Sequence, residues 1–157
     1  MRPAQARIDL NALRHNLAVA RRCAPNSRVW AVVKANAYGH GLDRTWRAFE
    51  AADGLALLEI EDALWLRERG WQKPLLMLEG FSDDHDLQIL AEHRLTAVVH
   101  QAGQLALIDS CRLAAPFEVY LKINAGMNRL GFRPAEAGAA LERLRASGKI
   151  GSITLMT

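Results

Sequence analysis

Val29-Trp30-Ala31-Val32-Val33 is an apolar run that ends on Lys34 and leads straight into Ala35-Asn36-Ala37-Tyr38-Gly39-His40-Gly41. The run is too short for a typical helix and rich in β-branched residues, so it reads as a buried strand. An ammonium at the mouth of such a strand is poorly solvated. Desolvation lowers its pKa and favours the neutral amine, the form that attacks a carbonyl. Gly39 and Gly41 let backbone approach a ligand closely, and Tyr38 sets a rigid hydroxyl four residues past the lysine. A lysine closing a strand is by itself only a solvated end group. It is the whole run that gives Lys34 a chemical reading.

Outward from this strand the chain keeps a rhythm of strand and helix. Before it, Ala6-Arg7-Ile8-Asp9-Leu10 reads as a short strand and Asn11 to Cys23 as a helix; after it, a helix is expected from Leu42 to Ala52. Gly54–Leu58, Pro74–Leu78, Thr96–Val99 and Phe117–Ile123 read as further strands, and the stretch from Ser152 as the sixth of the barrel type. Between them lie a helix that starts on acidic residues and closes at Gly70, one capped by Asp83 or Asp84, and one near Ala102 to Asp109. A last helix has Pro134 near its start and Gly148 just past its end. Apolar strands alternating with helices argue for a parallel sheet covered by helices. The chain has six such units and no G-x-G-x-x-G. That favours an α/β fold of the incomplete (β/α)8 TIM-barrel type, about six of eight strands, over a doubly wound sheet. Residues 1–157 show no linker and no internal repeat, and are expected to form one part of a barrel whose last strand is cut at Thr157.

Composition narrows the function. Half of the 157 residues are hydrophobic, about a quarter are charged, and the net charge is +3, with basic and acidic residues interleaved. No basic stripe carries interspersed aromatics, so nucleic acid is not an expected partner. Cys23 and Cys111 stand far apart, as reduced thiols of a cytoplasmic protein do. Met1-Arg2-Pro3-Ala4-Gln5 lacks the apolar core of a secretory signal, and no run approaches membrane-spanning length. His85, His93 and His100 match no zinc spacing, and no metal is expected. His40 admits two readings, a proton carrier or a loop histidine that satisfies backbone. Trp46, Trp65 and Trp71 read as packing residues beside helices.

The barrel reading also places the chemistry, since such barrels carry their active sites at the carboxyl ends of the strands. Lys34 ends the first barrel strand. The fifth runs into Lys122-Ile123-Asn124-Ala125-Gly126-Met127-Asn128-Arg129-Leu130-Gly131-Phe132. Here Arg129 offers a planar, permanently charged fork that resists deprotonation.

The nine residues Val33–Gly41 resemble the pyridoxal-phosphate lysine motif of the alanine racemase family, and Lys122–Phe132 resembles its second signature. Order and spacing along the rest of the chain are also similar. The resemblance implies that Lys34 holds pyridoxal 5′-phosphate as an internal aldimine and exchanges the substrate's α-proton on one face. It implies that Tyr38 binds the cofactor phosphate, and that Arg129 bonds the cofactor's phenolic oxygen near the substrate carboxylate. The lysine matching Lys122 is carbamylated in some members. Asn124 and Ala125 depart from the family, where many members carry aspartate and threonine. The resemblance further implies a homodimer, with a tyrosine from the partner subunit's C-terminal β domain serving the opposite face. That β domain is absent here, so residues 1–157 alone are expected to be inactive.

The function implied is interconversion of L- and D-alanine for peptidoglycan. Two other readings stand beside it. A non-catalytic, single-domain barrel that binds pyridoxal phosphate for homeostasis shares this fold, but its lysine motif differs and Gly126–Gly131 favours the racemase. A truncated relic acting only as an interaction module is the other.

Overall fold

The computed structural model describes residues 4–113 and 115–157; the expectation for the N-terminal segment lies in part, at residues 1–3, outside them. The chain forms two compact units, Met1–Ala56 and Leu57–Thr157. Six strands alternate with helices along the chain, and within each unit successive strands pair in parallel.

In the first unit α1 (Leu10–Cys23) is started by Asp9, whose carboxylate accepts from the amides of Asn11 (2.8 Å) and Ala12 (3.3 Å). An aspartate in that place satisfies helix-end donors that a strand would not leave open. The strand expected over Ala6–Leu10 is therefore not formed: residues 4–9 have no regular structure. Next, β1 (Trp30–Val32) pairs with β2 (Gly54–Leu57) in the register Trp30↔Gly54, Ala31↔Leu55, Val32↔Ala56. Gly54 is obligatory there, since a Cβ would fall 2.2 Å from the Trp30 ring. Asp53 fixes the entry to both strands by accepting from the Val29 amide (2.8 Å) and from the Arg21 guanidinium at 3.2 Å. The helix expected over residues 42–52 is broken into α3 (Leu42–Thr45) and a 3₁₀ turn over Trp46–Phe49. Buried Thr45 donates its hydroxyl back to the Gly41 carbonyl at 2.8 Å, a bond that competes with regular helix.

In the second unit α4 (Ile60–Glu68), β3 (Leu75–Met77), α5 (Asp84–Glu92), β4 (Thr96–Val99), α6 (Ala102–Ser110), β5 (Phe117–Lys122), α7 (Pro134–Ala146) and β6 (Ile150–Met156) follow in turn. Asp83 caps α5 through the Asp86 amide at 2.9 Å. Leu57, the last residue of β2, accepts from Leu78 N–H at 2.9 Å. Strands β3 and β4 are buried along their whole length, as parallel strands covered by helices must be. Leu66, Leu75, Met77, Leu87, Leu90 and Leu121 are fully buried, each contributing about 1.5–3 kcal/mol. The sixth strand differs from β3 and β4. It is exposed or half-buried along its length and pairs, among the described residues, with β5 alone.

Two side chains tie the loops at opposite ends of these strands. At the amino ends, Arg67 donates to the carbonyls of Trp71 (2.7 Å), Lys73 (2.8 Å), His93 and Arg94 (both 3.0 Å). Burial, with the neighbouring Arg94 charge, pulls its pKa below the usual arginine value. At the carboxyl ends, Gln104, 1% exposed, donates to Glu79 O (3.0 Å) and Phe81 O (3.2 Å) and accepts from His100 N–H (2.8 Å). Every polar atom of this buried amide is thus paired, which removes the cost of burying it.

Candidate active site

The candidate residues lie in two segments, each leaving a strand at its carboxyl end. Lys34, Tyr38 and His40 share the turn after β1. Lys122, Asn124 and Arg129 share the loop after β5.

The first segment is a helix of the wrong hand. Val33 N–H extends the ladder to Ala56 O at 2.8 Å, and α2 (Lys34–Tyr38) begins at once. Ala35, Asn36, Ala37 and Tyr38 all have φ between 52° and 54°. L-residues in this conformation cost about 1–2 kcal/mol each, and nothing in the alanine and tyrosine side chains advertises it. Backbone bonds stitch the turn: Ala37 N–H to Val33 O (2.8 Å), Gly39 N–H to Ala35 O (3.0 Å), Gly41 N–H to Asn36 O (3.0 Å). The Asn36 side chain adds a bond that sequence reading missed, its Oδ1 accepting from Leu42 N–H at 2.7 Å. The only advance sign was the residue type, because asparagine tolerates positive φ better than most.

Within this turn Val33 and Ala37 point into the core, Tyr38 is 60% exposed, and Lys34 is half-buried. The expected enclosure of Lys34 is thus only partial, because Val32 beside it is itself 39% exposed. His40 is exposed, and its ring Nδ1 lies 2.9 Å from Ala37 O. That is the backbone-satisfying arrangement, one of the two readings left open by sequence.

The second segment is a closed loop. The bridge Ile123↔Phe132 forms its neck, with Asn124 N–H bonded to Phe132 O (2.8 Å) and Phe132 N–H to Lys122 O (2.9 Å). Gly131 sits in that neck at φ 115°, where a Cβ would meet Asn124 N at 2.7 Å. Asn124 organises the interior: its Oδ1 accepts from Gly126 N–H (3.1 Å) and Asn128 N–H (3.0 Å), and its Nδ2 donates to Asn128 Oδ1 (3.0 Å). Asn128 takes φ 57°, and exposed Arg129 follows it. Lys122, half-buried, is the last residue of β5.

Among the described residues the side chains of Lys34, Tyr38, Lys122 and Arg129 make no hydrogen bond or ion pair with another group. In the first segment, an amine and a phenol with their polar ends free suit an aldehyde cofactor that also carries a phosphate. The guanidinium of the second segment, equally free, is a donor of the kind a phenolate accepts from. A cavity of about 1140 Å³ opens elsewhere, at the amino ends of β3 to β5, lined by Arg67, Thr96, Arg112, Phe117 and Glu118 among others. It shares no residue with either segment. In barrels of this type chemistry belongs to the other end.

Residues 8–157 match the family model described as alanine racemase, N-terminal domain. The chain is 51% identical over 156 residues to the catabolic alanine racemase of Salmonella typhimurium, covering 99% of this chain and 44% of that protein. It is 54% identical over 156 residues to an alanine racemase of Janthinobacterium, again with 99% and 44% covered. The crystal structure of the biosynthetic alanine racemase from Pseudomonas aeruginosa superposes with a TM-score of 0.89 at 39% identity, over 94% of this chain and 42% of that one. The chain therefore spans less than half the length of these relatives. By its sequence and its fold the chain belongs to the alanine racemase family, which it matches over the N-terminal domain.

Proposed function

We propose that this chain is the N-terminal, lysine-bearing part of a pyridoxal-phosphate barrel that interconverts L- and D-alanine. The family is pyridoxal-phosphate dependent. The observation that carries the reading is Lys34: it stands at the carboxyl end of β1, unpaired and half-buried, inside the turn that matches the family motif. When bound, the cofactor supplies an electron-withdrawing ring that acidifies the substrate's α-carbon.

The chain's own residues take the remaining roles. Lys34 Nζ would hold the cofactor and, as a free amine, would take or return the substrate's α-proton on one face. Tyr38 Oη would donate to the phosphate. Arg129 would donate to the phenolic oxygen and to the substrate carboxylate, a task for a cation that resists deprotonation. A carbamylated Lys122 would be an anion placed to orient Arg129. The opposite face falls to a tyrosine of the partner subunit in a homodimer, from a C-terminal domain beyond the matched region. For that reason residues 1–157 are not expected to racemise alanine by themselves. Identities of 51–54% to proteins named alanine racemase favour this reading over a non-catalytic cofactor-binding barrel. One of those relatives is named catabolic and one structural neighbour biosynthetic; we assign the chain a role in supplying D-alanine to peptidoglycan, in the cytoplasm.

Borohydride trapping of pyridoxal 5′-phosphate followed by peptide mapping tests the assignment. The label is expected on Lys34. A label on Lys122 or Lys149 instead would sink it.

A further inference from the structure

The turn after Lys34 persists in an unfavoured hand only because its surroundings over-determine it. Most of the bonds that do so are backbone bonds, which any sequence could supply. His40 differs. It grips one carbonyl twice, Ala37 O receiving the His40 backbone N–H at 3.1 Å and the ring Nδ1 at 2.9 Å. A carbonyl oxygen only accepts, so Nδ1 carries the hydrogen. That holds for the neutral and the protonated ring alike, and the bond therefore survives a change of charge. Ala37 is the buried residue of α2, and the next residue is Tyr38. Holding the Ala37 carbonyl thus fixes the peptide plane from which Tyr38 departs.

We propose that His40 is a positioning residue, which through its Nδ1–H bond to the Ala37 carbonyl holds the left-handed turn that follows Lys34 and presents Tyr38. The proposal rests on the reading of Lys34 as the cofactor's point of attachment. Without the ring bond the turn populates other conformations, and cofactor capture falls with the fraction that remains competent. Loss of one such hydrogen bond corresponds to about a fivefold to tenfold change. Asparagine is the conservative replacement, because its Nδ2 stands close to where histidine Nδ1 stands. Glutamine carries its donor one carbon too far.

Two measurements separate the pin from the chemistry. In the cofactor-free protein, His40→Ala should speed amide hydrogen exchange at Gly39 and Gly41 about fivefold to tenfold, with Val98 and Leu121 unaffected. His40→Asn should stay within about twofold of the parent. In the second measurement, the initial rate of borohydride trapping of pyridoxal 5′-phosphate on Lys34 should fall in His40→Ala and recover in His40→Asn. Unchanged exchange in His40→Ala overturns the pin. Faster exchange with unchanged trapping overturns the positioning role. If His40→Ala also loses protection at Val98 and Leu121, it has unfolded, and His40→Asn is compared with His40→Gln, equal behaviour of the two overturning the proposal. Absence of any label on Lys34 in the parent protein overturns the underlying reading instead, and the exchange experiment, which contains no cofactor, distinguishes that case.

Discussion

The turn after β1 and the loop after β5 both leave a parallel strand next to a lysine, yet they hold their shapes by opposite means. The turn is tight, four consecutive residues being forced to positive φ and locked by backbone bonds around buried Ala37. The loop is wide and relaxed along most of its length. It is closed at a neck by Gly131 and the Ile123↔Phe132 bridge, and filled by one asparagine that bonds both of its flanks. At about 1–2 kcal/mol per residue the turn stores on the order of 4–8 kcal/mol, as much as the whole stability margin of many domains. The loop stores less, Asn128 being its one non-glycine residue at positive φ among those described. Stored strain gives a fixed point, which suits the attachment role proposed for Lys34. A closed but exposed loop gives a placed yet adjustable cation, which suits a contact to a bound ring.

The largest effect should come from the adjustable side. Arg129→Lys keeps the charge and loses the planar fork, so racemisation by the homodimer proposed above should drop about a hundredfold while the thermal midpoint stays put. Steady-state kinetics beside a melting curve decide it. Unchanged turnover would mean that the loop only closes the fold, and the contrast between the two segments would lose its functional half.

How much of this was legible in the sequence depends on where the information sits. Strands β2 to β5 and the helices between them were readable because burial writes itself as runs of leucine and valine, and helix ends as Asp83, Gly70 and Pro134. The positions of Lys34 and Lys122 followed from the strands they close, whereas Arg129 was singled out by the resemblance of its loop to the family's second signature. The handedness of Ala35–Tyr38 did not, since alanine favours the right-handed helix and tyrosine has no taste for positive φ. That conformation is set by hydrogen bonds to Val33, Gly41 and Leu42, a pattern visible only once the chain is folded. The false strand at Ala6–Leu10 has the reverse cause. An alternating Ile8-Asp9-Leu10 looks extended, but the aspartate is there to cap a helix. Likewise Thr45, unremarkable in a helical pattern, bonds back to Gly41 and helps to divide the helix expected after it.

An effect of comparable size tests the loop's neck. At φ 115° Gly131 occupies a region other residues scarcely enter, and a Cβ would stand 2.9 Å from Ile123 C as well as 2.7 Å from Asn124 N. Gly131→Ala should therefore cost about 2–4 kcal/mol, read from denaturant unfolding. Gly126 is the control. It has a similar φ of 125° but nothing within 4 Å, so Gly126→Ala carries the conformational cost without the clash and should lose less. Equal losses at the two positions would show that the neck is not where the loop is held.

The smallest effect bears on the turn, and its sign is opposite. Ala35 is exposed at φ 52°, ψ 52°, so its methyl group packs against little and serves mainly to resist the conformation. Glycine removes that resistance, which favours the folded turn by about 1–2 kcal/mol. It also loosens the unfolded chain, at a cost of about 0.4–1 kcal/mol. The balance for Ala35→Gly is a gain of about 0.5–1 kcal/mol, visible as a higher denaturant midpoint with an unchanged slope. Few alanine-to-glycine changes stabilise a protein, and this one should do so only because the hand of the turn is unfavourable. The same change lets residue 35 visit either hand, so the rate of cofactor trapping on Lys34 should fall even as the midpoint rises. A lower midpoint would mean that the turn is not strained at Ala35, and the contrast with the loop after β5 would then rest on hydrogen bonding alone.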